Sequence, residues 1–241
     1  MHRGLPHSGE TRSVRRAGDR VAVRVHDLAD TVKPRFRGWL HLGTFPLAVA
    51  GGVVLVALAP TPTARLAAAA YAVTSWLLFG VSAIYHRGRW SGRAHALLMR
   101  LDHSNIFLVI AGTYTPFALL ALRDGPGMAV LAVVWAGAAG GVLFRVAWVH
   151  APRWLYTPLY VALGWVAVFV IPALRESAGV AVLVLVVVGG LLYTLGGLVY
   201  GLKRPDPSPR WFGFHEVFHA FTVAAYAVQY VAVSLVVYGA A

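Results

Sequence analysis

The chain has 241 residues, 59% of them hydrophobic and only 12% charged, with a formal net charge of +12 and no cysteine. A soluble domain of this size has no use for so much apolar material, and the lack of thiols excludes disulfides and thiolate-ligated metals. The apolar runs are long and continuous, not short and alternating, which argues against a β-barrel. The fold class predicted is all-α: a polytopic membrane protein, a seven-transmembrane-helix bundle with a short amphipathic N-terminal helix.

Residues 1–38 hold nine Lys/Arg against four Asp/Glu. No apolar core follows the first arginines, so the segment does not read as a secretory signal. Val21, Val25, Leu28 and Val32 recur at helical spacing, predicting a helix that lies on the membrane until Lys33-Pro34 breaks it. Residues 1–18 read equally well as a disordered tail. Two units follow: a basic, cytoplasmic segment over 1–38 and a membrane domain over 39–241.

Apolar runs of spanning length fall near 41–60, 66–86, 103–122, 127–145, 154–174, 178–202 and 212–238. Turn chemistry or charge separates them, as at Pro60-Thr61-Pro62, Arg123 to Pro126, Arg175-Glu176 and the proline-rich Lys203 to Arg210. With the amino terminus inside, eighteen Lys/Arg face the cytoplasm and only Arg65, Arg123 and Arg175 face out. That asymmetry predicts a plasma-membrane protein with its amino terminus cytoplasmic and its carboxyl terminus outside. The arginines sit between apolar runs, where they suit topology and contacts with anionic inner-leaflet lipid. Without aromatics interleaved among them, nucleic-acid binding is not expected. Gly137, Gly140 and Gly141 suit helix packing within one chain or between subunits, leaving the oligomeric state open.

Ionisable residues are nearly absent from the spans, and the exceptions share one depth. His86 ends the second span, Asp102 opens the third, and His215 and His219 lie in the first turns of the seventh. His215 and His219 are four apart, so both rings leave one helix face, and Ser82 stands one turn before His86. Charge inside a bilayer is costly and marks a functional site. Three histidines also make the ligand set of an open Zn2+ site, in which Asp102 orients or deprotonates water and Ser82 supports a developing oxyanion. His215-Glu216-Val217-Phe218-His219 matches the HExxH pattern, but no third histidine follows. Glu216 is thus either a general base or a cap on the last span. His103 and Asn105 read as packing groups, and His41, His95 and His150 as loop residues without a part in the site.

Five stretches in order resemble the hemolysin III family: Lys33 to His41, Ser82 to His86, Leu101 to Asn105, Gly112 to Pro116, and Gly213 to His219. That family is the bacterial branch of the progestin and adipoQ receptors, in a superfamily that includes alkaline ceramidases. The resemblance covers residue 33 to the carboxyl terminus. It implies seven helices around an intramembrane zinc held by His86, His215 and His219, with Asp102 on the zinc-bound water and Ser82 behind it.

The function expected is zinc-dependent hydrolysis of an amide or ester in a membrane lipid, with membrane lipids as partners and no nucleic acid. A second reading is a non-enzymatic sensor of membrane state in which zinc is structural. A third, the pore-forming lysin of the family name, conflicts with a chain that shows neither an export signal nor a plausible soluble state. The only lysines, Lys33 and Lys203, lie outside the spans, which excludes a retinal Schiff base.

Overall fold

The computed structural model describes residues 33–240, which are helical apart from their connections and one isolated bridge between Ser208 and Phe212. The amphipathic helix expected over residues 21–32 lies outside the described residues. In chain order the helices are α1 (Trp39–Ala57), α2 (Pro62–Arg87), α3 (Gly92–Pro116), α4 (Gly127–Ala147), α5 (Arg153–Gly164), α6 (Ile171–Leu202) and α7 (Phe214–Tyr238). A π-helical turn, Phe117–Ala121, extends α3, and a 3-10 stretch, Trp165–Val170, joins α5 to α6.

Local chemistry sets several ends. The Thr61 hydroxyl accepts from the Ala64 amide at 3.1 Å and Pro62 opens α2, a favourable start that leaves few orphan donors. Helix α3 begins at Gly92, well before the apolar run expected from residue 103. Hydropathy misses that first part because Arg93 and Arg100 are polar, although arginine is a good helix former.

Among the described residues six helical segments are long and apolar enough to cross a membrane, the fifth being the 50-residue stretch Arg153–Leu202. That stretch is not straight. Gly179 interrupts α6 at φ 81°, ψ 171°, a conformation open essentially to glycine alone. On either side of it the chain pairs with itself. The Tyr156 and Tyr200 hydroxyls are 2.9 Å apart, and the Trp165 indole donates to the Thr194 hydroxyl at 2.9 Å. As one residue number rises the other falls, so the stretch doubles back at Gly179.

Neighbouring helices otherwise alternate in direction. Phe45 packs at Gly80 and Ala72 at Gly52, so α2 returns along α1. Asn105 Nδ2 donates to the Leu77 carbonyl at 2.9 Å while Gly112 lies against Thr74, so α3 returns along α2. The glycines expected to mediate packing do so within the chain at two positions: Gly141 against Phe107, and Gly137 against Leu163. Large apolar side chains such as Leu47, Leu143 and Phe169 face outward at 72%, 70% and 86% exposure, the pattern of a bundle solvated by hydrocarbon.

Candidate metal centre

The last turn of α2 brings His86 against the first turns of α7, which carry His215 and His219. One ring nitrogen from each lies within 4.8 Å of the other two. His86 Nε2 and His215 Nε2 are 3.2 Å apart, and the rings meet edge to face at centroid distances of 4.5 to 5.2 Å. His86 and His219 are buried. Three imidazoles whose ring nitrogens gather in one largely buried place could hold a metal ion, and among the described residues His219 Nδ1 is buried with no hydrogen-bond partner.

Asp102, on the inner face of α3, sets its Oδ2 3.6 Å from His86 Nε2. Ser82, one turn before His86, is buried within hydrogen-bonding reach of that carboxylate. All five residues singled out in the sequence, Ser82, His86, Asp102, His215 and His219, therefore meet in one place. Four of them, Ser82, Asp102, His215 and His219, line the head of a cavity of about 150 Å³ that continues between the helices past Tyr114 and Thr194 to Gln229. Its walls are mostly apolar.

Tyr114 explains part of the Gly112 to Pro116 stretch. Its hydroxyl donates to the Gly164 carbonyl at 2.6 Å and accepts from the Ala167 amide at 2.7 Å, satisfying backbone groups where α5 gives way to the 3-10 stretch. Gly112 is needed for contact, since a Cβ there would lie 1.9 Å from Thr74 Oγ1.

Residues 29–230 match the profile of the family described as Haemolysin-III related. The chain belongs to that family. Hemolysin-3 of Bacillus cereus is 31% identical over 170 residues, covering 70% of this chain and 74% of the relative. A Hemolysin-3 homolog of Bacillus subtilis is 30% identical over 173 residues, 67% of this chain and 76% of the relative. The human monocyte to macrophage differentiation factor is 25% identical over 193 residues, 77% of this chain and 76% of its own length.

In this haemolysin-III chain His41 is a residue the sequence reading misplaced. It was expected in a loop, yet it lies in the first turn of α1, is buried, and stacks on His219 with centroids 3.7 Å apart. Neither of its ring nitrogens has a hydrogen-bond partner. The available signal was position: His41 stands at the same depth as the other histidines. His103 and Asn105 fill the packing roles expected, His103 with Nδ1 2.7 Å from the Met99 carbonyl and Nε2 3.3 Å from the Tyr200 hydroxyl.

Glu216 is buried with both oxygens engaged. Oε1 accepts from Arg37 Nε at 2.5 Å and Oε2 accepts from the Gly213 amide at 2.8 Å. It caps α7 and clamps the segment before α1, which favours the cap over the general base. Arg37 escaped the sequence reading because nothing local marks a partner so distant in the chain. The same segment is tied to the α6–α7 loop by Arg35 N to Arg210 O and Phe36 N to Trp211 O, both 3.0 Å. Gly38, at φ 80°, rests on His86, where a Cβ would come within 2.7 Å of the His86 Cβ. The rim here is strongly basic: burial first, then the charges of Arg37 and Arg87, hold the Lys33 amine below the ordinary lysine range.

Proposed function

We propose that this chain is a zinc-dependent hydrolase of an amide or ester bond in a membrane lipid. The observation that carries the reading is that the three-histidine cluster opens, through His215, His219 and the neighbouring Asp102, onto an apolar cavity between the helices. Zinc–imidazole bonds of about 2.0–2.1 Å put neighbouring ligand nitrogens roughly 3.3 Å apart in a tetrahedral set, close to the 3.2 Å between His86 and His215. His86, His215 and His219 would hold the zinc, which would supply Lewis-acid polarisation of a carbonyl and acidify water. Asp102 receives that proton and passes it to the leaving group. Ser82 orients the Asp102 carboxylate, a duty that replaces the oxyanion contact expected for it. The cavity takes the acyl chain and keeps bulk water from the reacting bond.

The hairpin within Arg153–Leu202 supports two crossings by that stretch and seven in all. The site then lies toward the cytoplasmic face of the plasma membrane, with the carboxyl terminus outside, as the charge asymmetry requires. Metal analysis of purified protein beside hydrolysis of defined lipid amides and esters tests the reading. One zinc per chain with turnover is the expected result; zinc with no turnover on any of them overturns the enzyme.

That outcome would favour the second reading, a sensor with structural metal. The clamp of Arg37 on Glu216 and the seating of Gly38 on His86 lend it weight, because they close the site at its basic rim.

A further inference from the structure

Two arginines beside the histidine cluster have no anionic partner among the described residues. Arg145, in the last turn of α4, is 1% exposed. Its Nη1 and Nη2 donate to the Trp148 and Val149 carbonyls at 3.4 and 3.1 Å, its Cζ lies 4.3 Å over the Tyr156 ring, and its Nε has no partner. Arg153, the first residue of α5, lies over Tyr200 at 5.0 Å and Phe214 at 5.5 Å, and its buried Nη1 is likewise unpartnered. Among the described residues no carboxylate comes within 4.0 Å of either guanidinium. Asp102 faces His86, and Asp206 accepts from the Phe214 amide.

Carbonyls and ring faces offset only part of the cost of taking a cation out of water. Arg145 at least stands at a helix carboxyl end, where a positive charge is favoured. Arg153 stands at an amino end, where it is not, and no side chain caps that end. An anion held by the two guanidiniums at the uncapped start of α5 would resolve the conflict. The fork of an arginine suits phosphate best.

Position selects the source of the phosphate. The connection from Arg145 to Arg153 is flanked by Trp148 and Trp154, both exposed, and Trp39, Trp90 and Trp211 are exposed at the same end of the bundle. Exposed tryptophans gathered at one end mark the headgroup level of a bilayer. The Tyr156 and Tyr200 rings that carry the two guanidiniums have their hydroxyls joined, and the Tyr200 hydroxyl reaches His103, the residue next to Asp102. Tyr200 also borders the cavity.

We propose that Arg145, Arg153 and the start of α5 bind the phosphate of a membrane glycerophospholipid beside the metal centre. This builds on the lipid-hydrolase reading and narrows its substrate to an acyl ester of a phospholipid, with the headgroup phosphate on the arginines and the chain in the cavity.

The test uses the full chain in detergent with three probes: dioctanoyl phosphatidic acid, dioctanoylglycerol and inorganic phosphate. Binding is read by tryptophan fluorescence and native mass spectrometry. The phosphatidic acid binds tightly, Arg153→Gln weakens it about tenfold or more, and dioctanoylglycerol is indifferent to the substitution. Arg145→Lys, which keeps the charge in case neutral variants fail to fold, also weakens the phosphatidic acid. Equal binding of phosphatidic acid to wild type and both variants overturns the site, and inorganic phosphate matching the lipid overturns the lipid source. His86→Ala separates the two proposals. Phosphatidic acid still binds when metal is lost, whereas loss of binding in His86→Ala alone places the anion on the metal and sinks the arginine site. A wild type without metal but with arginine-dependent binding sinks the hydrolase and leaves this site standing.

Discussion

His41 and His219 lie face to face, ring centroids 3.7 Å apart and planes 9° from parallel, joining the first helix to the last at the metal centre. The edge of Phe79 meets His41 from the other direction, with centroids 5.1 Å apart and planes at 85°. His219 therefore has its ring plane fixed by packing from α1 and α2, at a site where ring orientation decides whether a nitrogen could reach a metal ion.

His41→Ala should weaken metal binding on the order of ten- to a hundredfold, while His41→Phe, which keeps a flat ring there, restores most of it. Competition with a chelator reads this directly. Unchanged affinity in His41→Ala would show that the stack positions nothing. His219→Ala should remove the metal altogether.

Buried Glu216 pairs with the partly exposed Arg37, their side chains 1% and 20% exposed. Removing one partner leaves the other uncompensated, so Glu216→Ala and Arg37→Ala should each cost about 3–5 kcal/mol. The double variant should cost less than the sum of the two. Denaturant unfolding in mild detergent measures all three. A Glu216→Gln protein of unchanged stability that has lost hydrolysis would return Glu216 to the role of base.

Asp102→Asn preserves shape and removes the proton acceptor. It should retain metal while turnover on a lipid ester or amide falls by roughly 10² to 10⁴. Ser82→Ala acts only through Asp102 and should cost less. Full activity in Asp102→Asn refutes the assignment.

The native chain lacks cysteine, so introduced thiols report without background. Gly197 lies against Val161, a Cβ at Gly197 falling 3.5 Å from Val161 Cγ2. Val161→Cys with Gly197→Cys should therefore cross-link efficiently. In intact cells Ser177→Cys should react with an impermeant maleimide and Ser208→Cys should not. Labelling of both from outside contradicts the seven-crossing topology.

Most of the helices were legible because hydrocarbon imposes a length and an apolar character that survive in any window of sequence. The convergence of Ser82, His86, Asp102, His215 and His219 was legible too, since alternating direction places span ends at one depth. The rest depends on contacts that sequence does not announce. His41 was lost because it stands at the very start of the first apolar run, so a buried residue reads as a loop residue. Arg37 with Glu216 was lost because an ion pair between chain ends has no local pattern. The turn was expected at Arg175-Glu176, whereas the helix carries past those charges to Gly179, whose backbone alone permits the reversal. Arg145 was counted as a topology signal, and only packing reveals it as an enclosed cation.

The short stretch from Lys33 to Gly38 touches both helices that supply the imidazoles: Arg37 grips α7 through Glu216, and Gly38 presses on His86 at the end of α2. It works as a tether with two anchor points, one on each helix that carries the histidines, so a shift of this stretch bears on the spacing between His86 and the start of α7.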